Sequence, residues 1–348
     1  MDARFQSVVA GAVLAVIVGW VLYIGKAIWI PVVFGAVVVY VIVGVTHVLG
    51  RAPLLGRALP LHLRYVLSML LIGSAVVVLG MLAIAHKERV IELAPQYQQA
   101  LLAVIQKLAA WLRVESEPTW ATLRQDMLAR INLQFLLGSV LASVSSIAVS
   151  LVVVLLYAVF LLVEQHGFAA KLAHLSDDPR KVERIAAVIG DINHRIGSYL
   201  ALKTLLSMLL GAISWLIMAA FGLDFAGFWA VLIAFLNFIP YIGSVLGVLF
   251  PAILAVMQFS DPATLLSLLV GLVVTQFLIG NFLDPWVMGN SLNLSPFAIL
   301  VALAAWSELW GVPGAFLAVP ITAIVVIVLS EFPGARPIAV LLSRDGRL

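Results

Sequence analysis

The apolar C-terminal third of the chain is interrupted three times by residues that could bind a small solute. Each interruption contains Gly or Pro, and polar side chains lie within it or next to it. An unpaired backbone group in a membrane costs several kcal/mol, so a broken helix persists only where protein or a water-filled cavity surrounds it. Such breaks are typical of the substrate and ion pathways of transporters. The three breaks span residues 237–243, 280–289 and 311–314.

Three amide side chains in this region are the predicted solute contacts. Asn237, Gln276 and Asn281 offer both hydrogen-bond donors and acceptors without the desolvation cost of a charge. The alternative role is structural, because the same amides could satisfy backbone groups that Pro240 and Pro285 set free. The residue types alone leave both roles open.

Two carboxylates could link transport to a cation. An ionisable group at the centre of a span costs about 2.5–3.5 kcal/mol, so such groups usually serve a function. Asp284 precedes Pro285, so it either caps the next short helix or acts as a proton- or cation-linked group. Glu308 lies between Trp306 and Trp310. Because Trp favours the membrane interface, Glu308 is either a headgroup-level residue or part of the pathway.

The glycines and prolines of the breaks are predicted to form hinges or close packing contacts rather than to touch solute. Residues 228–257 form two apolar halves around one hinge, and residues 297–330 form two halves around another. This similarity suggests an internal repeat, and hydropathy leaves open whether each unit re-enters the membrane or crosses it twice. The candidate pathway residues are Asn237, Pro240, Gly243, Gln276, Asn281, Asp284, Pro285, Gly289, Glu308, Gly311, Gly314 and Pro320.

The composition indicates an integral membrane protein with many spans. The chain of 348 residues is 64% hydrophobic and 11% charged, whereas soluble domains carry roughly 25% charged residues. It has no cysteine, and its net charge of +3 is not gathered into a basic patch that would bind nucleic acid. The phosphate-loop, zinc-protease and nucleophile-elbow motifs are absent. We therefore expect no enzyme activity, no cofactor, no metal and no nucleic-acid partner.

Four long apolar runs precede the C-terminal region, at about 8–24, 32–49, 65–85 and 136–163, and each is long enough to span about 30 Å of hydrocarbon. A fifth span is predicted at about 199–221. The loop between the second and third runs holds Arg51, Arg57 and Arg64 without an acidic residue, which places that loop and the N-terminus in the cytoplasm. The predicted organisation is three N-terminal spans (1–85), an external amphipathic segment (86–135), a fourth span (136–163), a cytoplasmic amphipathic helix (164–198), the transport core with its broken helices (199–331) and a cytoplasmic tail (332–348).

Two local predictions concern the segments that flank the core. Asp178 and Pro179 predict the start of the amphipathic helix, and Lys203 is expected to extend towards the cytoplasmic surface from the start of the fifth span. The external segment is expected either to cover its own transmembrane domain or to contact the membrane surface or a neighbouring subunit.

The landmarks of the C-terminal region resemble those of the autoinducer-2 exporter family. The sequence departs from the family pattern where many members carry an acid, a His or a Pro, which are here Ile279, Ser295 and Ser244. The resemblance implies a homo-oligomeric transporter, and its departures mean that coupling need not follow other members. The matching landmarks are Asn237, Pro240, Tyr241, Gly243, Gly280, Asn281, Pro285, Met288, Gly289, Leu294, Pro296, Trp310, Gly311, Gly314, Ala318 and Pro320.

The sequence thus predicts an all-α polytopic membrane protein with about eight transmembrane segments, some of them broken or re-entrant. The expected function is a secondary transporter of the bacterial inner membrane that moves a small polar solute or cation, with export the expected direction. Both termini are expected in the cytoplasm. Its other expected partner is the lipid bilayer. The alternatives are a sodium/proton antiporter of the same fold, a passive oligomeric channel, and a scaffold that recruits partners through 86–135 and 164–198.

Overall fold

The computed structural model is helical throughout nearly all the residues that it describes. These contain an isolated bridge between single residues but no β-strand. Almost all of the predicted external segment 86–135 and most of the third apolar run lie outside them. The described residues are 3–51, 59–60, 62–70, 133–174, 176–259, 261–289 and 292–346, with the single positions 73 and 99.

Eleven named helices order the described chain, together with a helical stretch at 62–70. They are α1 (Ala3–Ile24), α2 (Lys26–Arg51), α3 (Leu133–Ala173), α4 (Pro179–Ala220), α5 (Ala226–Leu236), α6 (Ile242–Gln258), α7 (Pro262–Leu278), α8 (Asp284–Met288), α9 (Pro296–Trp310), α10 (Val312–Ser330) and α11 (Arg336–Leu342), with a π-helical turn at Ile279–Leu283 between α7 and α8.

The lengths and composition of these helices confirm an all-α membrane protein. Four helical segments in the described ranges are long and apolar enough to cross a membrane, and shorter apolar helices, including α5, α6 and α9, accompany them. The total of about eight transmembrane segments stays a prediction. The four long segments are Lys26–Thr46, Pro179–Ala220, Pro262–Met288 and Val312–Ser330.

The chain divides into two units, each assembled from separate stretches of sequence. The first unit consists of Met1–Leu71, Ser150–Thr204 and Val287–Leu348, and the second of Ile72–Val149 and Leu205–Trp286. The candidate residues from Asn237 to Pro285 belong to the second unit, and those from Gly289 to Pro320 belong to the first.

Helix α4 begins where the sequence predicted a helix start. The Arg180 N–H donates to Oδ1 of Asp178 over 3.1 Å, which confirms Asp178 as the residue that caps the helix. The helix then continues for 42 residues, so the predicted amphipathic helix and the fifth span are one element. The expectation for Lys203 is wrong, because its side chain is buried, with 9% exposed, rather than extended to solvent.

In the second unit, α5 and α6 pack against each other as a pair of helices joined by residues 237–241. This confirms the two apolar halves that the sequence predicted. The 11 residues of α5 span roughly 16 Å, which is about half of the hydrocarbon thickness. Helix α4 approaches α5 closely at Gly211, where an added Cβ would lie 2.9 Å from the carbonyl oxygen of Ala230.

In the first unit, α9 and α10 form a second helix pair, which turns at Gly311. The φ of 66° and ψ of −141° at Gly311 fall in a region that is essentially restricted to glycine. A Cβ at Gly314 would overlap the carbonyl oxygen of Trp306, so this glycine permits the start of α10 to touch α9. The predicted hinge is confirmed as a tight turn between two helices.

The predicted C-terminal tail contains α11, which packs against α10. Ser343 forms an antiparallel bridge with Leu294, and the Ser295 N–H donates to the Leu342 carbonyl oxygen over 2.9 Å. These contacts fasten the C-terminal segment to the residues just before α9.

Replacement of Gly314 by Ala tests the contact between α9 and α10. We expect Gly314→Ala to lower the free energy of unfolding by about 1–3 kcal/mol, because the new methyl group must displace backbone atoms. The measurement is the thermal unfolding midpoint of the purified protein in detergent. Gly227→Ala in α5 is the control, since nothing lies within 4 Å of its added Cβ. Equal midpoints for the two variants would contradict the tight turn.

Candidate functional site

The break between α5 and α6 is a strained turn at Tyr241. Its φ of 61° and ψ of −55° are rare for a residue with a side chain, and the Ile242 N–H donates to the Pro240 carbonyl oxygen over 2.6 Å. This is a three-residue γ-turn of the positive-φ form. Backbone strain of this kind costs of order 1–3 kcal/mol and is concentrated at ligand clamps and switch regions. The turn therefore marks this break as a candidate functional site.

Proline and glycine explain why the chain turns at this place. Pro240 has no N–H to offer the Leu236 carbonyl oxygen, which instead accepts from the Ile239 N–H over 2.8 Å in a tightened last turn of α5. Gly243 then begins α6 against that same carbonyl group, where an added Cβ would overlap the oxygen. The two helices can meet this closely only because position 243 has no side chain.

Asn237 ends α5 beside this turn and carries the polar group of the site. The residue is buried, with 7% exposed, and its Nδ2 donates to Oγ of Ser207 on α4 over 3.0 Å. Ser207 is also buried. In the part of the chain that the structure describes, Oδ1 of Asn237 has no donor, and the Ser207 hydroxyl group has no acceptor.

This pair therefore presents one acceptor and one donor side by side in an apolar setting. An amide oxygen accepts and a hydroxyl group donates, so the pair favours a small polar molecule that can form both bonds at once. A hydroxyl or amide group of a solute has the complementary chemistry. Both side chains are uncharged, so the site suits a neutral polar group better than an ion.

The second predicted break, at 280–289, is a π-helical turn rather than an interruption. Pro285 has no N–H for a helical bond, and the chain adjusts by a wider turn in which the Asp284 N–H donates to the Ile279 carbonyl oxygen. The exposed Asn281 donates its Nδ2 to the Phe277 carbonyl oxygen over 3.2 Å. For Asn281 this bond favours the structural alternative. Turns of this type are frequent at functional sites.

Asp284 does not cap a helix as the sequence suggested. Its φ of −55° and ψ of −56° are helical, whereas a capping residue has non-helical dihedral angles. The residue is half-buried, and its Oδ1 atom is fully covered. Gln276 is half-buried two turns earlier on the same helical segment, and Pro285 is exposed. Asp284 therefore stays a candidate for coupling, and its capping role is excluded.

Most candidates in the first unit lie in α9, in α10 or in the turn between them, whereas Gly289 follows α8. Glu308 is exposed, and both neighbouring indoles donate hydrogen bonds within the protein, so its place at headgroup level or in the pathway stays a prediction. Nε1 of Trp306 donates to Oγ1 of Thr322 over 3.1 Å, and Nε1 of Trp310 donates to the Leu22 carbonyl oxygen over 3.0 Å. The remaining candidates there are Gly289, with a φ of 54°, Gly311, Gly314 and the buried Pro320.

The structure gathers the candidates into three groups rather than one. Asn237, Pro240 and Gly243 meet at the strained turn, and the residues from Gln276 to Pro285 share one helical segment. The third group belongs to α9, α10 and the turn between them, apart from Gly289, which follows α8. No group of three His, Asp or Glu side chains that could hold a metal ion occurs in the described ranges.

Sequence reasoning missed Ser207 and the unusual backbone of Tyr241. The sequence shows only that Ser207 and Ser214 are seven residues apart, which does not identify Ser207 as the partner of Asn237. Polar side chains at that spacing lie on one face of a helix. Tyr241 gave no signal, because a positive φ at a residue with a side chain follows from the surrounding packing and not from residue type.

An all-α membrane chain with a polar, strained break inside an apolar helix pair has the architecture of a membrane transporter. The sequence profile described as AI-2E family transporter matches residues 12–334. This chain belongs to the AI-2E transporter family, and it is a membrane transporter.

Three relatives illustrate the family. The Escherichia coli K12 AI-2 transport protein TqsA is 33% identical over 282 residues, which are 80% of this chain and 79% of that protein. A Borreliella burgdorferi protein named for transport is 39% identical over 194 residues, or 56% of this chain and 53% of that protein. The E. coli K12 transport protein YhhT is 28% identical over 287 residues, or 81% and 79% of the two chains.

The bond between Asn237 and Ser207 can be tested by a double-mutant cycle. We expect Asn237→Ala and Ser207→Ala to be coupled by about 0.6 kcal/mol and by no more than about 1.7 kcal/mol, the average and the maximum that cycles find for polar bonds between membrane helices. The measurement is the free energy of unfolding of both single variants and the double variant in detergent. Asn281→Ala combined with Ser207→Ala is the control and should be additive. A coupling of zero for the first pair would contradict the bond.

Proposed function

We propose that this protein is a secondary transporter that moves a small, neutral polar solute outward by alternating access. The observation that carries the proposal is the buried Asn237–Ser207 pair beside the strained turn at Tyr241. The name of the relative TqsA supplies AI-2 as the first solute to test. The inner-membrane location, the cytoplasmic termini and the homo-oligomeric state are part of this proposal.

The chemistry of the break supports a binding site that changes during transport. Oδ1 of Asn237 and the hydroxyl group of Ser207 can bond a solute without an opposite charge being brought into the membrane. The strain at Tyr241, of order 1–3 kcal/mol, is released when the turn adopts a second, relaxed conformation, and this lowers the free energy of the change. A solute that binds one of the two conformations better shifts the equilibrium between them.

Transport against a gradient needs a second source of free energy, because the sequence contains no nucleotide-binding loop. One charge that crosses 100 mV supplies about 2.3 kcal/mol, which corresponds to roughly a fortyfold concentration ratio. Asp284 is the first candidate for this coupling, since its carboxylate lies at the π-helical turn inside an apolar segment.

The binding site is tested by counterflow in proteoliposomes loaded with unlabelled solute, with AI-2 first and small polar metabolites after it. We expect saturable uptake that internal solute accelerates, which distinguishes a carrier from a pore. Asn237→Ala should lower kcat/KM about tenfold, the effect of about 1.4 kcal/mol of lost hydrogen bonding.

Asn281→Ala is the matched control, because it removes an amide that is exposed and bonded to its own helix. It should transport at close to the unaltered rate. Flux that never saturates and ignores internal solute would replace the carrier by a channel. Equal losses in both amide variants would remove the solute site from the α5–α6 break.

The coupling role of Asp284 is tested by Asp284→Asn, which keeps the shape of the side chain and removes its charge. We expect counterflow to persist while accumulation driven by a pH or sodium gradient is lost, because exchange needs no net coupling. The measurement is the steady-state solute ratio with and without each gradient. Unchanged accumulation and an unchanged pH profile would exclude Asp284 as the coupling residue.

A further inference from the structure

The C-terminal segment presents an exposed apolar surface immediately after a membrane span. Phe332, Ile338 and Leu341 are 58%, 52% and 81% exposed. Ile338 and Leu341 are three residues apart in α11 and therefore lie on the same face. Ala339 is completely buried and turns the opposite face towards the protein. Helix α11 thus turns its small Ala339 towards the protein and exposes the larger apolar side chains of Ile338 and Leu341.

This surface has a fixed position in the first unit. Helix α11 packs against α10, and residues 342–344 are held by the segment before α9. The bonds are Ser295 N–H to Leu342 carbonyl oxygen at 2.9 Å and Arg344 N–H to Asn293 carbonyl oxygen at 3.1 Å. The exposed face therefore belongs to an ordered element that is fastened at its C-terminal end.

The place of α11 along the chain indicates what covers its outer face. Helix α10 is one of the segments that are long and apolar enough to span the membrane, and it ends at Ser330. The lipid–water boundary therefore lies close to residue 330, and α11 begins only six residues later while packing back against α10. An apolar helix face at that depth meets the headgroup and upper acyl region of the bilayer.

The charges around α11 suit anionic headgroups. Arg336 and Arg344 flank the apolar face and are both exposed, and Asp345 is the acidic residue beside them. Glu331, at the end of α10, is already bound by Arg184, whose Nε donates to Oε2 over 3.0 Å and whose Nη2 donates to the backbone carbonyl oxygen over 3.0 Å. With Glu331 bound to Arg184, the positive charges of Arg336 and Arg344 exceed the negative charge of Asp345 by one at the membrane surface.

We propose that α11 and Phe332 form a lipid-binding surface that lies in the bilayer interface, with Phe332, Ile338 and Leu341 in the acyl region and Arg336 and Arg344 on anionic lipid headgroups. The surface anchors the end of α10 and therefore the α9–α10 pair. It is independent of which solute the transporter carries.

The absence of native cysteine makes a site-directed test possible in the full-length protein. Single variants Ile338→Cys and Leu341→Cys carry an environment-sensitive fluorophore in nanodiscs that hold the protein in the oligomeric state in which it is purified. Asp345→Cys is the matched control on the same exposed segment. Each labelled protein is measured with brominated lipid and with aqueous iodide as quenchers, in zwitterionic bilayers and in bilayers that contain anionic lipid.

We expect brominated lipid to quench the labels at 338 and 341 about threefold more strongly than the label at 345, with the reverse order for iodide. Anionic lipid should deepen the label at 341, and the double substitution Arg336→Gln/Arg344→Gln should remove that gain. Iodide quenching of 341 equal to that of 345 would overturn the lipid surface. Protection of 341 from both quenchers would also overturn it, because protein would then cover the face. Equal depth in both bilayers would overturn the headgroup contact.

Discussion

A carbonyl group that loses its helical N–H donor to proline cannot bond water inside a membrane, and this constraint shapes two turns of the second unit. At Pro240 the chain responds with a tightened helix end and a γ-turn, so that α5 stops and α6 returns beside it. At Pro285 the response is a π-helical turn, and the helix continues. The same loss of a donor thus ends one helix and only widens another.

The different outcomes decide which polar side chains are available for function. Where the helix continues, Asn281 donates to a carbonyl oxygen of its own helix and faces outward. Where the helix ends, Asn237 is buried and its Nδ2 donates to Oγ of Ser207 on another helix. An inward-facing amide beside a break can bond a solute without a charge being brought into the membrane, which is why the proposed solute site lies at the α5–α6 break and not at the π-helical turn.

Glycine allows both helix pairs to bring a helix start against a carbonyl oxygen of the preceding helix. Gly243 does so at Leu236 and Gly314 at Trp306, and in each case a Cβ would overlap the oxygen. The sequence predicted both hinges and the similarity between them, because Gly and Pro act locally on the backbone. It was wrong about Asp284 as a cap and about Lys203 at the surface, because both depend on the helix into which the residue is built.

The sequence by itself determined the membrane class, the all-α fold, the positions of the turns and the start of α4, since composition, apolar length and Gly, Pro or capping residues act over a few neighbouring positions. Only the tertiary structure decided which of the three amides is buried, that Tyr241 is strained and that Ser207 is the partner of Asn237. That partner lies 30 residues away on another helix. Burial and hydrogen bonding between helices follow from how the elements pack, and neither residue type nor spacing along one helix contains that information.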